Sequence, residues 1–151
     1  MPMADYERAL TLIGAAGTND FVGPRPEEWI LAAEERLSLR FPPTYRRFLK
    51  ELGSGGIRSE EFYGITRNNF DVGTVPNGIW LTLDERKTGL PSCLVLVQDT
   101  GDGNWYAIDT SQANAQGESP VVFVDISGRP HETVAEDFGR FFLDRVSRVA
   151  A

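Results

Sequence analysis

The sequence predicts an α+β domain, a twisted, mostly antiparallel sheet flanked by N-terminal helices and a C-terminal helix. Three observations carry this. Apolar residues recur at the helical period through the first third of the chain and again near its end. Between residues 94 and 124 they change to short continuous runs: Leu94–Val97, Trp105–Ile108 and Val121–Val124. Turns rich in Asp and Gly separate those runs, with no helical period between them, so the strands form an antiparallel meander.

The elements follow in order. Tyr6, Leu10 and Ile13 mark a short first helix that Gly14–Gly17 ends. Pro26 opens a second, with Glu27 and Glu28 near its positive dipole end. Ile30, Ala33 and Leu37 give its buried face. Pro42 and Pro43 stop that helix, because proline lacks an N–H and restricts the residue before it. Pro43 then suits the first position of a third helix. Tyr45, Phe48, Leu49 and Leu52 are its apolar stripe, and Gly53 closes it before a Ser54-Gly55-Gly56 turn.

Phe62–Ile65 reads as a short strand and 66–78 as a loop. Ile79–Leu83 fits either a strand or the start of a short helix running through Lys87. Leu94–Val97 reads as a central strand covered on both faces. Asp99–Asn104 turns the chain into Trp105–Ile108, Ser111–Pro120 is a polar loop, and Val121–Val124 is the third strand. Asp125–Pro130 turns again. Thr133-x-x-Glu136 has the form of a capping box for the last helix, whose buried face is Val134, Phe138, Phe141, Phe142 and Val146.

The 151 residues suit one domain spanning 1–151, which at this size buries about 70% of its unfolded surface. The single cysteine, Cys93, excludes an internal disulfide framework and fits a reducing cytoplasm. The start, MPMADYERAL, does not have the form of a signal peptide. No apolar segment approaches the roughly 20 residues of a membrane span. One histidine and one cysteine cannot assemble a thiolate or imidazole zinc cluster.

The formal net charge is −7, and all of it lies in one segment. Residues 99–137 hold eight acids (Asp99, Asp102, Asp109, Glu118, Asp125, Glu132, Glu136 and Asp137) against one base, Arg129. The rest of the chain holds 14 of each sign. Such a field disfavours nucleic acid, which needs clustered Lys and Arg. It favours fast association with a basic partner.

Enzyme-like signals are few. Leu94–Gly101 feeds an apolar strand into Asp99-Thr100-Gly101, as pepsin-like and retroviral-type aspartic proteases do. That chemistry needs two carboxylates sharing a proton, and the chain has one such tripeptide. Cys93 and His131 have the residue types of a nucleophile and base. Asp99–Asn104 lacks calcium ligands where Gly101 and Gly103 stand. The glycine runs lack the strand–GxGxxG–helix setting of a dinucleotide site. The residues therefore predict no catalytic, cofactor or metal site. Partner contact is assigned to Asp99, Asp102, Asn104, Glu118 and a ring of Trp105 or Tyr106, on polar turns held by strands. Arg46, Arg47 and Lys50 form a small basic face as the rival surface.

Glu34/Glu35, Leu37, Leu39, Phe41, Pro42, Tyr45, Phe48, Leu49, Gly55 and Gly56 stand in a recurring order. An apolar strand follows, then a Gly/Asp/Asn turn, an aromatic strand ending in Asp109, and a helix around Val134–Leu143. In this order and spacing the chain resembles the SUKH superfamily, in the branch of bacterial toxin-immunity proteins and yeast cell-wall assembly regulators. One departure is Ser54, where the family turn has Asn. The resemblance implies a twisted antiparallel sheet flanked by helices. It also implies a non-enzymatic, cytoplasmic immunity protein, monomeric or weakly dimeric, that binds a toxin, often a nuclease. A protein-interaction scaffold of the same fold is the alternative, and a hydrolase using Asp99 or Cys93 a third reading.

Overall fold

The helical periods of the first third become three helices in the computed structural model, which describes residues 1–150. These are α1 (Pro2–Ala16), α2 (Glu27–Leu37) and α3 (Pro43–Glu51). A small antiparallel hairpin follows, β1 (Gly55–Ile57) and β2 (Glu60–Phe62), and then α4 (Gly78–Arg86). The meander is β3 (Leu94–Asp99), β4 (Trp105–Asp109), β5 (Val121–Val124) and β6 (Pro130–Ala135), all antiparallel and adjacent in chain order. The chain ends in α5 (Phe138–Val149). The fold is α+β, with the antiparallel strands and flanking helices that the sequence predicts.

Strands β3–β5 are covered on both faces because their residues alternate between two apolar clusters, whereas β6 is an exposed edge. Val95, Val97, Ile108 and Val121 join α1, α2, α3 and α5 in the larger one. Leu94, Leu96, Ala107, Val122 and Val124 face the smaller one, with Leu81 of α4 and Leu90. At the centre of the larger cluster, Phe48 is fully buried. Its ring meets Phe21, Tyr45, Phe62, Phe138 and Phe142, with centroids 5.4–6.3 Å away, mostly edge-to-face. Tyr45 beside it donates its hydroxyl to the Tyr63 carbonyl at 2.9 Å, so this ring also satisfies its polar end.

Two glycines permit backbone contacts that a Cβ would block. Gly53 follows α3 at φ 75°, in the left-handed region, and its N–H bonds the Phe48 carbonyl. Gly139 lets α5 lie against the Pro2 carbonyl at the start of α1. There Tyr6 stacks on Phe142 at 5.6 Å.

Three sequence readings are corrected, and the open choice at Ile79–Leu83 resolves to a helix. Helix α2 stops at Leu37, not at Pro42, because Ser38 takes the left-handed conformation (φ 57°) and turns its N–H back to the Glu34 and Glu35 carbonyls. Ile79–Leu83 is helical, since Asn77 caps α4 by accepting the Trp80 N–H. The strand expected at Phe62–Ile65 lies at Glu60–Phe62, paired with Gly55–Ile57, which the sequence reads mainly as a turn. Thr133-x-x-Glu136 is not a capping box. Thr133 pairs with Val122 and Ala135 with Val121 in the sheet, and Val134 is 41% exposed. Ladder pairing outweighs the local signal there, and Asp137 caps α5 instead by accepting the Arg140 N–H at 2.7 Å.

Replacing Phe48 by Ala removes the ring on which five others pack. The expected loss is about 3–5 kcal/mol, read from the urea midpoint at constant m-value. A wild-type midpoint would mean that the aromatic cluster does not stabilise the fold.

Candidate functional site

Three acids of the charged segment, Asp99, Asp102 and Asp125, lie on two hairpin turns that are bonded to each other. In the β3–β4 turn, Asp99 accepts the Gly101 N–H. Asp102 accepts the Thr100 hydroxyl and the Asn104 amide. The Asn104 side-chain Oδ1 then accepts the Ile126 N–H at 3.0 Å, which ties this turn to the β5–β6 turn. In that second turn Asp125 accepts the Ser127 N–H at 2.9 Å and the Arg129 N–H at 3.1 Å. His131 Nε2 lies 2.6 Å from its other oxygen. The Ser127 hydroxyl, then His131 and the Arg129 N–H, hold the Asp125 carboxyl well below the usual carboxylate range. Thr100 and Asn104 lower Asp102 in the same way. Ile126, at the tip of the second turn, is 73% exposed.

An aromatic strip runs beside these turns on the α5 face of the sheet. Tyr106 meets Phe141 of α5 at 5.4 Å and Phe123 at 6.5 Å, and Phe123 meets His131 at 5.8 Å. Tyr106 and Phe123 are half-buried and His131 is exposed. Arg145 of α5 lies over the Tyr106 ring at 5.4 Å and pairs with Glu60 at 2.8 Å. Trp105 points to the opposite face, against the smaller cluster. Of the two rings proposed from sequence, Tyr106 therefore shares a surface with Phe123 and His131, and Trp105 does not.

Asp99, Asp102, Asn104 and Tyr106 are thus brought together, but Glu118 is not with them. It sits beyond the other end of β4, is 3% exposed, and belongs to the interior. This corrects its assignment to a partner surface. Glu118 accepts the Thr44 N–H at 3.0 Å and the Thr44 hydroxyl at 2.8 Å. Pro42 stands at the N-cap of α3 and cannot cap it with a side chain, so a carboxylate 74 residues away does so. Burial, helped by the Asp137 charge, pushes the Glu118 carboxyl up, and the Thr44 bonds offset only part of this. Asp109 and Asp137 are also buried, capping the turn at Thr110–Gln112 and α5. Three of the eight acids in the acidic segment are therefore architectural.

The rival surfaces weaken on inspection. Arg46 pairs with Glu27 at 2.7 Å and Glu34 at 3.1 Å, Arg47 with Glu7 and Glu51, and Lys50 with Glu27, so that basic face is internally neutralised. Glu34 also accepts the Phe41 N–H at 2.7 Å, which identifies it, not Glu35, as the acid that fixes the α2–α3 connection. Cys93 precedes β3 and His131 lies in β6, on opposite edges of the four-stranded sheet. The structure does not form the Cys93–His131 pair. No helix among the described residues is long and apolar enough to cross a membrane.

Phe123 and Ile126, which the sequence reading does not single out, share this surface with Asp125, read there only as one of the acids, and with His131, read there as a possible base. Strand alternation across Val121–Val124 sets Phe123 on the Tyr106 face, and that signal was present; the Asn104–Ile126 bond, which joins the turns, depends on register.

Two measurements test these assignments. Glu118→Ala leaves two buried Thr44 donors without acceptors, and the expected cost is about 1–3 kcal/mol. Glu118→Gln keeps an acceptor and costs less than half as much; equal urea midpoints for the two variants would remove the capping role. For Asp125 the sign is set by its depressed folded-state pKa. The stability it contributes is present above the unfolded carboxylate pKa and is lost as pH falls toward the folded value. Asp125→Asn should therefore lose less stability than wild type between about pH 5 and pH 2, in thermal melts across that range. Parallel curves would show that Asp125 does not report on folding.

A family comparison covers the part of the chain that holds these elements. Residues 27–142 match the SMI1-KNR4 cell-wall family model. The match spans α2 through the first turns of α5, most of the chain. The chain belongs to the SMI1-KNR4 cell-wall family, within the SUKH superfamily.

Proposed function

We propose that this protein is a bacterial immunity protein, one SUKH-like domain that neutralises a basic, nuclease-type toxin by stoichiometric binding and without catalysis. One observation carries the reading. Two turns stitched by Asn104 and Ile126 carry Asp99, Asp102 and Asp125 together with an exposed isoleucine. Rigid acids suit a phosphate-binding cleft, whose own charges are basic, and their field steers encounter. An exposed apolar side chain on the same pair of turns suits the centre of an interface. Tyr106 and Phe123 extend the surface along the sheet. Family membership supports a protein partner, and the separation of Cys93 from His131 counts against a hydrolase built on that pair.

The family's cell-wall description favours a second reading, a protein-interaction scaffold using the same surface. The two differ in what the partner does alone: a toxin arrests growth and is silenced by this chain, whereas a scaffold's partner is harmless without it.

The test is co-expression with the product of the neighbouring reading frame, followed by association kinetics against salt. Asp102→Asn should lower the association rate and flatten its salt dependence. Ile126→Ala should speed dissociation by roughly fivefold or more, the size of an interface anchor. Wild-type kinetics in both variants would exclude this surface.

A further inference from the structure

Two places in the chain set an Asn or Asp directly before glycine: Asn77-Gly78 and Asp102-Gly103. Such a pair has a backbone reaction of its own. The glycine nitrogen can attack the preceding side-chain carbonyl carbon, because glycine has no Cβ to hinder the approach. In free peptides an Asn-Gly pair reacts faster than an Asp-Gly pair, so chemistry alone favours Asn77. The structure reverses that order.

Asn77 is 2% exposed. Its Oδ1 accepts the Trp80 N–H at 3.2 Å as the cap of α4, which anchors the side chain. The Gly78 N–H donates to the Gly64 carbonyl at 2.8 Å and is not free to lose its proton. A Cβ on Gly78 would lie 2.8 Å from the Tyr63 Cβ and 3.1 Å from the Leu96 carbonyl oxygen, so ring closure there has no space.

Asp102-Gly103 is the opposite case. Both residues are exposed at the tip of the β3–β4 turn. Gly103 has φ 94°, with nothing within 4 Å of where a Cβ would stand. Its N–H makes no hydrogen bond among the described residues. The Asp102 carboxylate is held by neighbours in the same turn, the Thr100 hydroxyl and the Asn104 amide. These donors keep the carboxyl below the usual carboxylate range, so its reactive acid form is scarce and the reaction is slow.

We propose that Asp102-Gly103 is a self-modification site, at which the folded chain converts Asp102 to isoaspartate through a succinimide. The Gly103 nitrogen bonds to Asp102 Cγ, its proton passes to solvent, and the carboxyl hydroxyl leaves as water. A second water then opens the five-membered ring. Opening at Cγ restores aspartate. Opening at the backbone carbonyl leaves the chain running through Cβ and Cγ, with the carboxylate directly on Cα. One water leaves and one enters, so the mass is unchanged and no oxidant takes part. The longer backbone and shorter acid arm break the geometry by which Asp102 meets Thr100 and Asn104. Asn104 Oδ1 holds the Ile126 N–H, so the change reaches the second turn. The chemistry stands without the partner reading above; only its effect on binding rests on that reading.

The experiment ages the full chain at neutral pH, folded and in urea, and maps its peptides by mass and retention. In the folded chain, isoaspartate should accumulate at residue 102. It is seen as a new peptide of unchanged mass that an isoaspartate-specific carboxyl methyltransferase labels, while the Asn77 peptide stays unmodified. The variant Asp102→Asn gives both places the same dipeptide chemistry, with ammonia as the leaving group. In the folded variant, residue 102 should react at least roughly tenfold faster than Asn77, which reacts only from an opened state. In urea that gap should close. An unmodified residue 102 in the folded wild type, Asn77 reacting as fast as residue 102 in the folded variant, or a gap that persists in urea would each overturn the site. The readout is covalent, so failure of the partner reading leaves it untouched.

Discussion

The Phe48 ring is the constraint on which the rest of the structure depends. It lies on the shortest helix of the N-terminal group, yet it touches rings from the connector after α1, from β2 and from α5. A helix of nine residues is marginal alone. Its position is set by what surrounds it: Pro43 pre-forms its first turn, Glu118 caps it from across the molecule, and Gly53 turns the chain away into β1. Each of these neighbours is in turn fixed by contact with the helix.

The acidic segment divides into two populations. Glu118, Asp109 and Asp137 point inward and organise backbone, with their charges met by N–H and hydroxyl donors. Asp99, Asp102 and Asp125 stay outside, but their oxygens also bond turn backbone or neighbouring side chains. These outer acids are pre-organised rather than free, so a partner that meets them need not order them, which lowers the entropy cost of association. The same chemical group thus serves as a helix cap in one place and as a rigid surface charge in another, and burial decides which.

How much of this could be read beforehand depended on the range of the interaction involved. The stripe Tyr45, Phe48, Leu49 and the runs Leu94–Val97 and Val121–Val124 declare themselves within a few residues, and the helices, the meander and the family follow from them. Local signals misled where a distant partner competed. Thr133 and Glu136 spell a cap, but pairing with β5 draws that stretch into a strand. Glu118 looks like one more loop acid because nothing within ten residues tells of Thr44. Ile126 is unremarkable until the register sets its N–H against Asn104. The candidate surface was therefore half legible: its acids and Tyr106 from composition and turn chemistry, its isoleucine and phenylalanine only from how strands align.

The packing of α5 on α1 has a consequence for the order in which the molecule can be made. Tyr6 stacks on Phe142, and the backbone of Pro2 rests on Gly139, so the first helix has its partner in the last. Phe48 likewise waits for Phe138 and Phe142. The fold can close only once α5 has been made and is free to pack, and until then the Tyr6 and Phe48 faces of the N-terminal helices lack their partner rings and stay open to chaperones.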